Sequence, residues 1–480
     1  MSIVHRLRST AAIFLALGLG LACSKGGEGE MDRSAPRPPN VLLMVADDLG
    51  VGDLAGEGDR RIRTPSLDRM ADEGQRWTNF YAAASVCSPS RAAIMTGRLP
   101  VRSGLASSEH RVFFPWSKGG LPASEFTLAE LFASRGHATG LIGKWHLGHR
   151  PEFLPTRHGF DEWFGIPYSN DMDKTPAARA ALPYPRLGER PAPGWYAPRS
   201  EWFRIPLMRD ETVLERAPDQ RQLTRRFAEK AVDFIRRHRS EPFFLQVAFS
   251  MPHVPLFRST EFEGVSAGGT YGDVIEELDA AIGKILKELD RLGLGRETLV
   301  VFTSDNGPWA RFGDLGGSAG PLRGGKSTAW EGGFRVPTLF LWPGRIEPGV
   351  VSKIGSGLDF MATFASLLDA ELPDAVRDGY DLSALLAGEA VEPRREMFFY
   401  LGDRLAAVRS GPFKAHFFRA EGENGRAVRL VRPLLYRLDT DPAEQNDVAD
   451  AYPEVVDRIE KLRDNHLRSV EVAVDQLVRR

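Results

Sequence analysis

Val41-Leu42-Leu43-Met44-Val45-Ala46-Asp47-Asp48 is six apolar residues closed by two adjacent carboxylates. An uninterrupted apolar run of this length has no polar face, so it reads as a strand buried on both sides of a sheet. The same grammar recurs along the chain. Ala138–Ile142 leads to Lys144 and His146, Phe243–Phe249 to His253, and Leu299–Thr303 to Asp305 and Asn306, while Thr338–Trp342 is a further apolar run. Helical patterns lie between them, the clearest over Tyr271–Leu292, where Val274, Leu278, Ile282, Ile285 and Leu289 recur every three or four residues. This alternation predicts an α/β fold with a mostly parallel central sheet flanked by helices. Ligands of such sheets bind beyond the carboxyl ends of the strands. Asp47, Asp48, Lys144, His146, His253, Asp305 and Asn306 are therefore expected on one rim. A polar residue after one strand is commonplace, but metal-ligating and acid–base types after four strands are not.

The chain outward from this core has 480 residues, enough for a large domain and a smaller one. Its 62 Lys and Arg against 64 Asp and Glu give a net charge of -2, which argues against nucleic acid as a partner. Arg6 and Arg8 precede the apolar run Ala11–Leu21, which is too short to span a membrane and reads as a signal peptide over 1–23. It ends in Gly20-Leu21-Ala22-Cys23, which resembles a bacterial lipoprotein cleavage site with Cys23 as the lipidated residue. Plain export without a lipid is the alternative. Residues 24–39, poor in large apolar side chains, read as a flexible tether. The expected location is the periplasm or outer surface of a bacterium. Asp171–Gln222 is rich in Pro and Arg with little periodicity, and reads as a long substrate-shaping loop or a surface insertion. After about residue 375, short apolar runs at Met397–Tyr400, Leu405–Val408, Phe413–Phe418 and Leu434–Leu438 predict a smaller C-terminal antiparallel sheet. A helix around Pro453–Arg468 follows. The expected division is thus 40–374 for a catalytic domain and 375–480 for a C-terminal subdomain.

Ser85-Val86-Cys87-Ser88-Pro89-Ser90-Arg91 carries the chemistry. Pro89 suits a first helical turn, Ala92–Met95 continue it and Gly97 can end it. Cys87 is then expected at the positive end of a helix dipole, with Arg91 one turn on. Free N–H groups and a guanidinium directed at one point suit a tetrahedral anion. A buried structural thiol is the more usual role of a lone cysteine, and a thiolate nucleophile is a third reading.

Cys87-x-Pro89-x-Arg91, continuing through Ala92-Ala93-Ile94-Met95-Thr96-Gly97-Arg98, resembles the signature of the formylglycine-dependent sulfatase family. Gly136–His146 is similar to that family's second signature. Asn40–Asp53, Arg323–Lys326, Trp330–Gly333 and Asp439–Asn446 resemble further segments of it. Gly165–Ser169, Ile205–Arg209, Asp378–Asp381 and Lys414–Phe418 are similar to its arylsulfatase A branch and the bacterial relatives of that branch. The resemblance implies an alkaline-phosphatase-like fold and sulfate ester hydrolysis. It also implies that a maturation enzyme converts Cys87 to formylglycine, whose hydrate attacks sulfur to give a covalent sulfo-enzyme. Asp47, Asp48, Asp305 and Asn306, with the converted Cys87, would hold calcium, and magnesium suits the same hard oxygen donors. Arg91 would steady the second oxygen of the hydrate. Lys144, Lys326, His253 and Ser169 would contact the sulfate, and His146 would take the proton that releases it. For His149, His158 and His416 the ordinary structural role stands, and Glu331 reads as structural.

Two other functions compete. One is a phosphomonoesterase or phosphodiesterase of the same superfamily, which would use Ser or Thr and commonly two zinc ions. The other is a non-catalytic binder of sulfated glycans, which would have lost part of this constellation. The expected substrate is a sulfated small molecule or saccharide, and no motif names which.

Overall fold

The computed structural model describes residues 37–478, apart from 55, 57, 59, 60 and 422–425. The expected signal peptide and most of the tether lie outside the described residues.

The strands, in chain order, are β1 (Asn40–Ala46), β2 (Gln75–Tyr81), β3 (Ala138–Lys144), β4 (Glu162–Ile166), β5 (Pro206–Arg209), β6 (Thr212–Arg216), β7 (Phe243–Ala248), β8 (Thr298–Ser304), β9 (Thr338–Leu341), β10 (Gly349–Ser356), β11 (Glu396–Leu401), β12 (Arg404–Ser410), β13 (Phe413–Glu421) and β14 (Arg426–Arg437). The first ten form one sheet in the order β10-β2-β9-β8-β1-β7-β3-β4-β5-β6. All run the same way except β5 and β9, which are antiparallel to their neighbours.

The central strand explains the apolar runs. Along β1, Leu42, Met44 and Ala46 enter one core, shared with helices Pro65–Glu73, Leu223–Arg237 and Gly269–Arg291. Val41, Leu43 and Val45 enter the other, shared with helices Cys87–Thr96, Leu128–Ser134 and Asp359–Leu367. Both faces are covered, so neither can be polar.

The last four strands form an antiparallel sheet in the order β11-β12-β13-β14. Tyr400, Leu405, Val408, Ala415 and Phe417 pack with Val455 and Ile459 of the closing helix Pro453–Ser469, and with Ala83 and Ala93 near the nucleophile helix. Met397, Phe399 and Ala406 pack with Tyr81 and Ile354 of the first sheet and with Phe334 of the short helix Glu331–Phe334. The second sheet therefore shares its core with the first.

The structure departs from the sequence reading in three places. The run Thr338–Trp342 contains a buried strand, Thr338–Leu341, but it runs antiparallel between β2 and β8. Asp171–Gln222 is not all loop: β5 and β6 pair as a hairpin on the sheet edge, and helical turns occupy Pro176–Ala181 and Pro193–Tyr196. β2 and β10 had no continuous apolar run to reveal them, since β2 mixes polar and apolar residues and the first half of β10 is largely exposed.

Candidate active site

Register assembles the acidic half of the site. β1 and β8 are parallel, with Ala46 opposite Ser304. The residues that follow, Asp47 and Asp48 on one strand and Asp305 and Asn306 on the other, therefore emerge side by side. The Asp48 backbone, at φ 66, donates to Asp305 Oδ1 at 3.2 Å, and Asn306 Nδ2 donates to Asp48 Oδ1 at 2.7 Å. Asp tolerates this left-handed conformation better than most residues. All four side chains are buried.

The cations arrive from the neighbouring strand ends. β3 ends in Gly143-Lys144. Gly143 has φ 108, and a Cβ there would lie 1.8 Å from the Ala248 carbonyl oxygen, so β3 can approach β7 this closely only with glycine. Lys144 Nζ donates to Asp47 Oδ2 at 2.6 Å and to Ser169 Oγ at 3.3 Å. Lys326, from the long connection between β8 and β9, reaches Asp48 Oδ1 and Oδ2 at 2.7 and 2.8 Å. Arg91 clasps Asp305 Oδ2 through Nε and Nη2, both at 2.8 Å, and donates to the Lys144 carbonyl at 3.0 Å.

Cys87 begins its helix as expected, and Gly97 closes it at φ 67, donating to the Ala93 carbonyl at 2.9 Å. Its Sγ lies 3.4 Å from Lys326 Nζ, 3.5 Å from Asp47 Oδ1 and 4.0 Å from Asp48 Oδ1. Burial pushes the thiol well above its usual range despite Lys144 and Lys326. That direction disfavours the thiolate reading.

His253 follows β7. Its Nδ1 donates to the Val254 carbonyl at 2.5 Å, which leaves Nε2 facing Ser169 Oγ at 3.5 Å and Asp48 Oδ2 at 3.6 Å. His146, at φ 62, bonds the Phe113 carbonyl through Nε2 at 2.9 Å. Its Nδ1 is buried without a partner among the described residues. Burial, with Lys144 adding to it, lowers its pKa well below the ordinary value, so the ring is neutral with a lone pair on Nδ1.

The electrostatics call for one more cation. Burial would raise Asp47, but Lys144, His253, Arg91 and Lys326 hold it far below the usual carboxylate range. Asp305 goes the other way: burial, opposed by Arg91 and reinforced by Asp47 and Asp48, pushes it up to about 6. Asn306 Oδ1 is buried with no partner among the described residues. Ligand atoms of Asp47, Asp48, Cys87 and His253 all lie within 4.8 Å of one another. Clustered carboxylate oxygens and an orphaned amide oxygen fit a hard divalent ion.

The structure thus brings together all eleven residues singled out in the sequence. Of the others, His416 bonds Glu444 at 2.6 Å and lies against Trp330 in a buried network with Glu331 and Lys414, and His158 is buried beside Trp145. Two neighbours of the site went unread. Asp171 is buried, accepts from Tyr184 at 2.7 Å and is held low, against its burial, by His253 and Lys174. Trp309 lies 5.3 Å from the His253 ring, with Lys326 Nζ over its face at 4.5 Å. Their signal was proximity: Asp171 follows Ser169 by two residues, and Trp309 follows Asn306 by three.

A buried cup of carboxylates and cations at the strand ends of such a sheet defines an alkaline-phosphatase-like hydrolase. The chain belongs to the sulfatase family: the Sulfatase model matches residues 39–370, and the model for the C-terminal region of aryl-sulfatase matches 392–480. It is 42% identical over 462 residues to arylsulfatase A of Bos taurus, covering 92% of this chain and 87% of that one. It is also 42% identical over 529 residues to steryl-sulfatase of Mus musculus, covering 93% and 85%. The crystal structure of Ps i-CgsB with a neocarrahexaose is similar, at TM-score 0.75 and 27% identity over 92% of this chain and 94% of that one. The protein is a sulfuric ester hydrolase.

Proposed function

We propose that this sulfatase cleaves its ester with a nucleophile made from Cys87 by conversion to formylglycine, and that its natural substrate is a sulfated saccharide. The observation that carries the first part is the environment of Cys87 Sγ, between Lys326 Nζ at 3.4 Å and Asp47 Oδ1 at 3.5 Å at the start of a helix. The second part draws on Ps i-CgsB, whose structure holds a neocarrahexaose.

Asp47, Asp48, Asp305 and Asn306, with the converted Cys87, would hold calcium or magnesium. Such an ion supplies Lewis acidity toward the oxygens around sulfur. Lys144 and Lys326 bind sulfate oxygens and, with His253, meet the negative charge that grows on the ester oxygen as the bond breaks. Ser169 orients Lys144 and His253. Arg91 keeps Asp305 ionised and steadies the nucleophile one helical turn away. His146 accepts a proton at Nδ1, because Nε2 is engaged by the Phe113 carbonyl and the ring is neutral. The mature protein is proposed to be exported to a bacterial periplasm or outer surface as a lipoprotein, with a catalytic domain over 40–374 and a subdomain over 375–480. No helix among the described residues is long and apolar enough to cross a membrane.

The test uses protein coexpressed with a formylglycine-generating enzyme. Mass analysis of the Cys87 peptide should find the aldehyde, and sulfate should be released from aryl, glycosaminoglycan or algal sulfates. Cys87→Ala should keep the fold and lose turnover. Normal sulfate release by that variant, or by protein retaining only the thiol, overturns the proposal.

A further inference from the structure

A recess next to the nucleophile is lined by a cation that no carboxylate among the described residues answers. It is small and partly open, and Ser85, Val86, Arg111, Ser327, Tyr400 and Gly402 contribute to its wall. Ser85 and Val86 directly precede Cys87, and Ser327 directly follows Lys326, so the recess adjoins the cup from two segments. The Arg111 Nη2 is buried with no hydrogen-bond partner, and the guanidinium pairs with no acid among the described residues. Glu109, two residues away, is exposed and does not reach it.

The segment that carries Arg111 is anchored to the site. Phe113 N donates to Ser88 Oγ at 3.2 Å, beside the nucleophile, and the Phe113 carbonyl accepts from His146 at 2.9 Å. Burial pushes Arg111 down to about 10, and Arg311 repels it further. Arg311, two residues after Trp309, donates through Nε to the Pro185 carbonyl at 2.8 Å. A guanidinium nitrogen buried without a partner and repelled by a second guanidinium is costly in the free enzyme, and an anionic ligand relieves that cost.

We propose that Arg111, in the field of Arg311, is a specificity residue that receives a second anionic group of the substrate, beyond the sulfate being cleaved. That group is a carboxylate or a further sulfate, so the substrate class is an acidic saccharide with at least two anionic groups rather than a neutral aryl or steryl monosulfate. A substrate with one anion would leave Arg111 Nη2 buried and unpaired, and this supplies the discrimination. The inference rests on the sulfatase reading and names the substrate class for that same site.

Unconverted protein separates binding from turnover. With calcium present, calorimetric titration compares N-acetylgalactosamine 6-sulfate with N-acetylgalactosamine 4,6-disulfate and with a monosulfated disaccharide containing a uronate. Wild type should bind at least one dianion about 10- to 100-fold more tightly than the monoanion, as a charge-assisted hydrogen bond implies. Which dianion benefits distinguishes sulfate from carboxylate. Arg111→Met should remove most of that margin, Arg111→Lys should retain part of it, and the wild-type margin should shrink as salt is raised. No margin in wild type, or an equal margin in Arg111→Met, overturns the assignment. Failure of the sulfatase reading looks different: matured protein would release no sulfate from any ester, whatever the binding margin.

Discussion

Lys414→Met removes one charge from the buried network that fastens the C-terminal sheet to the active-site segment. Lys414 is fully buried on β13. Its Nζ lies 2.9 Å from Glu331 Oε1 and 3.3 Å from Glu444 Oε1. Glu331 also accepts from Tyr81 at 2.6 Å, and Glu444 accepts from the Glu331 backbone at 2.6 Å. The Glu444 carbonyl takes Arg323 Nη1 at 2.8 Å, three residues before Lys326. Methionine fills nearly the same volume, so packing changes little and the effect is electrostatic. Removing one partner of a buried pair leaves an uncompensated charge, which costs about 3–5 kcal/mol. Burial alone would raise Glu331, but Lys414, with Arg335 and Arg409, holds it at about 2. A carboxylate depressed in the folded state contributes stability above its unfolded pKa, and loses it as pH falls toward the folded value. Without Lys414 the carboxylate pKa rises, so protonation relieves the variant sooner than wild type. Denaturant midpoints should therefore differ most at pH 7 and converge as pH falls below about 4.5. A deficit under about 1 kcal/mol at pH 7, or one constant between pH 4 and 8, refutes the reasoning.

Three further outcomes follow from the site. Chelation should abolish turnover and lower the melting temperature, and calcium at 100 times its Kd should restore about 2.7 kcal/mol of stability, read by calorimetry. Lys326→Ala should lower kcat/KM about 10²- to 10³-fold, because it withdraws a cation from the developing charge, and steady-state kinetics on an aryl sulfate will measure it. His146→Ala should lower kcat about 10²- to 10⁴-fold with circular dichroism unchanged; a loss below tenfold would remove His146 as proton acceptor.

The sequence alone determined the sheet's central strands, because strands buried on both faces must be apolar throughout and four of them end in reactive side chains. It also determined the Cys87 helix, whose Pro89 and Gly97 are local signals that need no tertiary partner. By residue type, all eleven residues of the cup could be read from these runs together with the family resemblance. What tertiary structure decided was everything that depends on which strand lies beside which. The antiparallel direction of β9 and the edge hairpin β5–β6 follow from pairing between residues far apart in the chain, which no local pattern encodes. The same holds for the isolated Arg111. An arginine in a loop reads as a solvated surface charge until the fold sets it against a recess with no acid partner among the described residues.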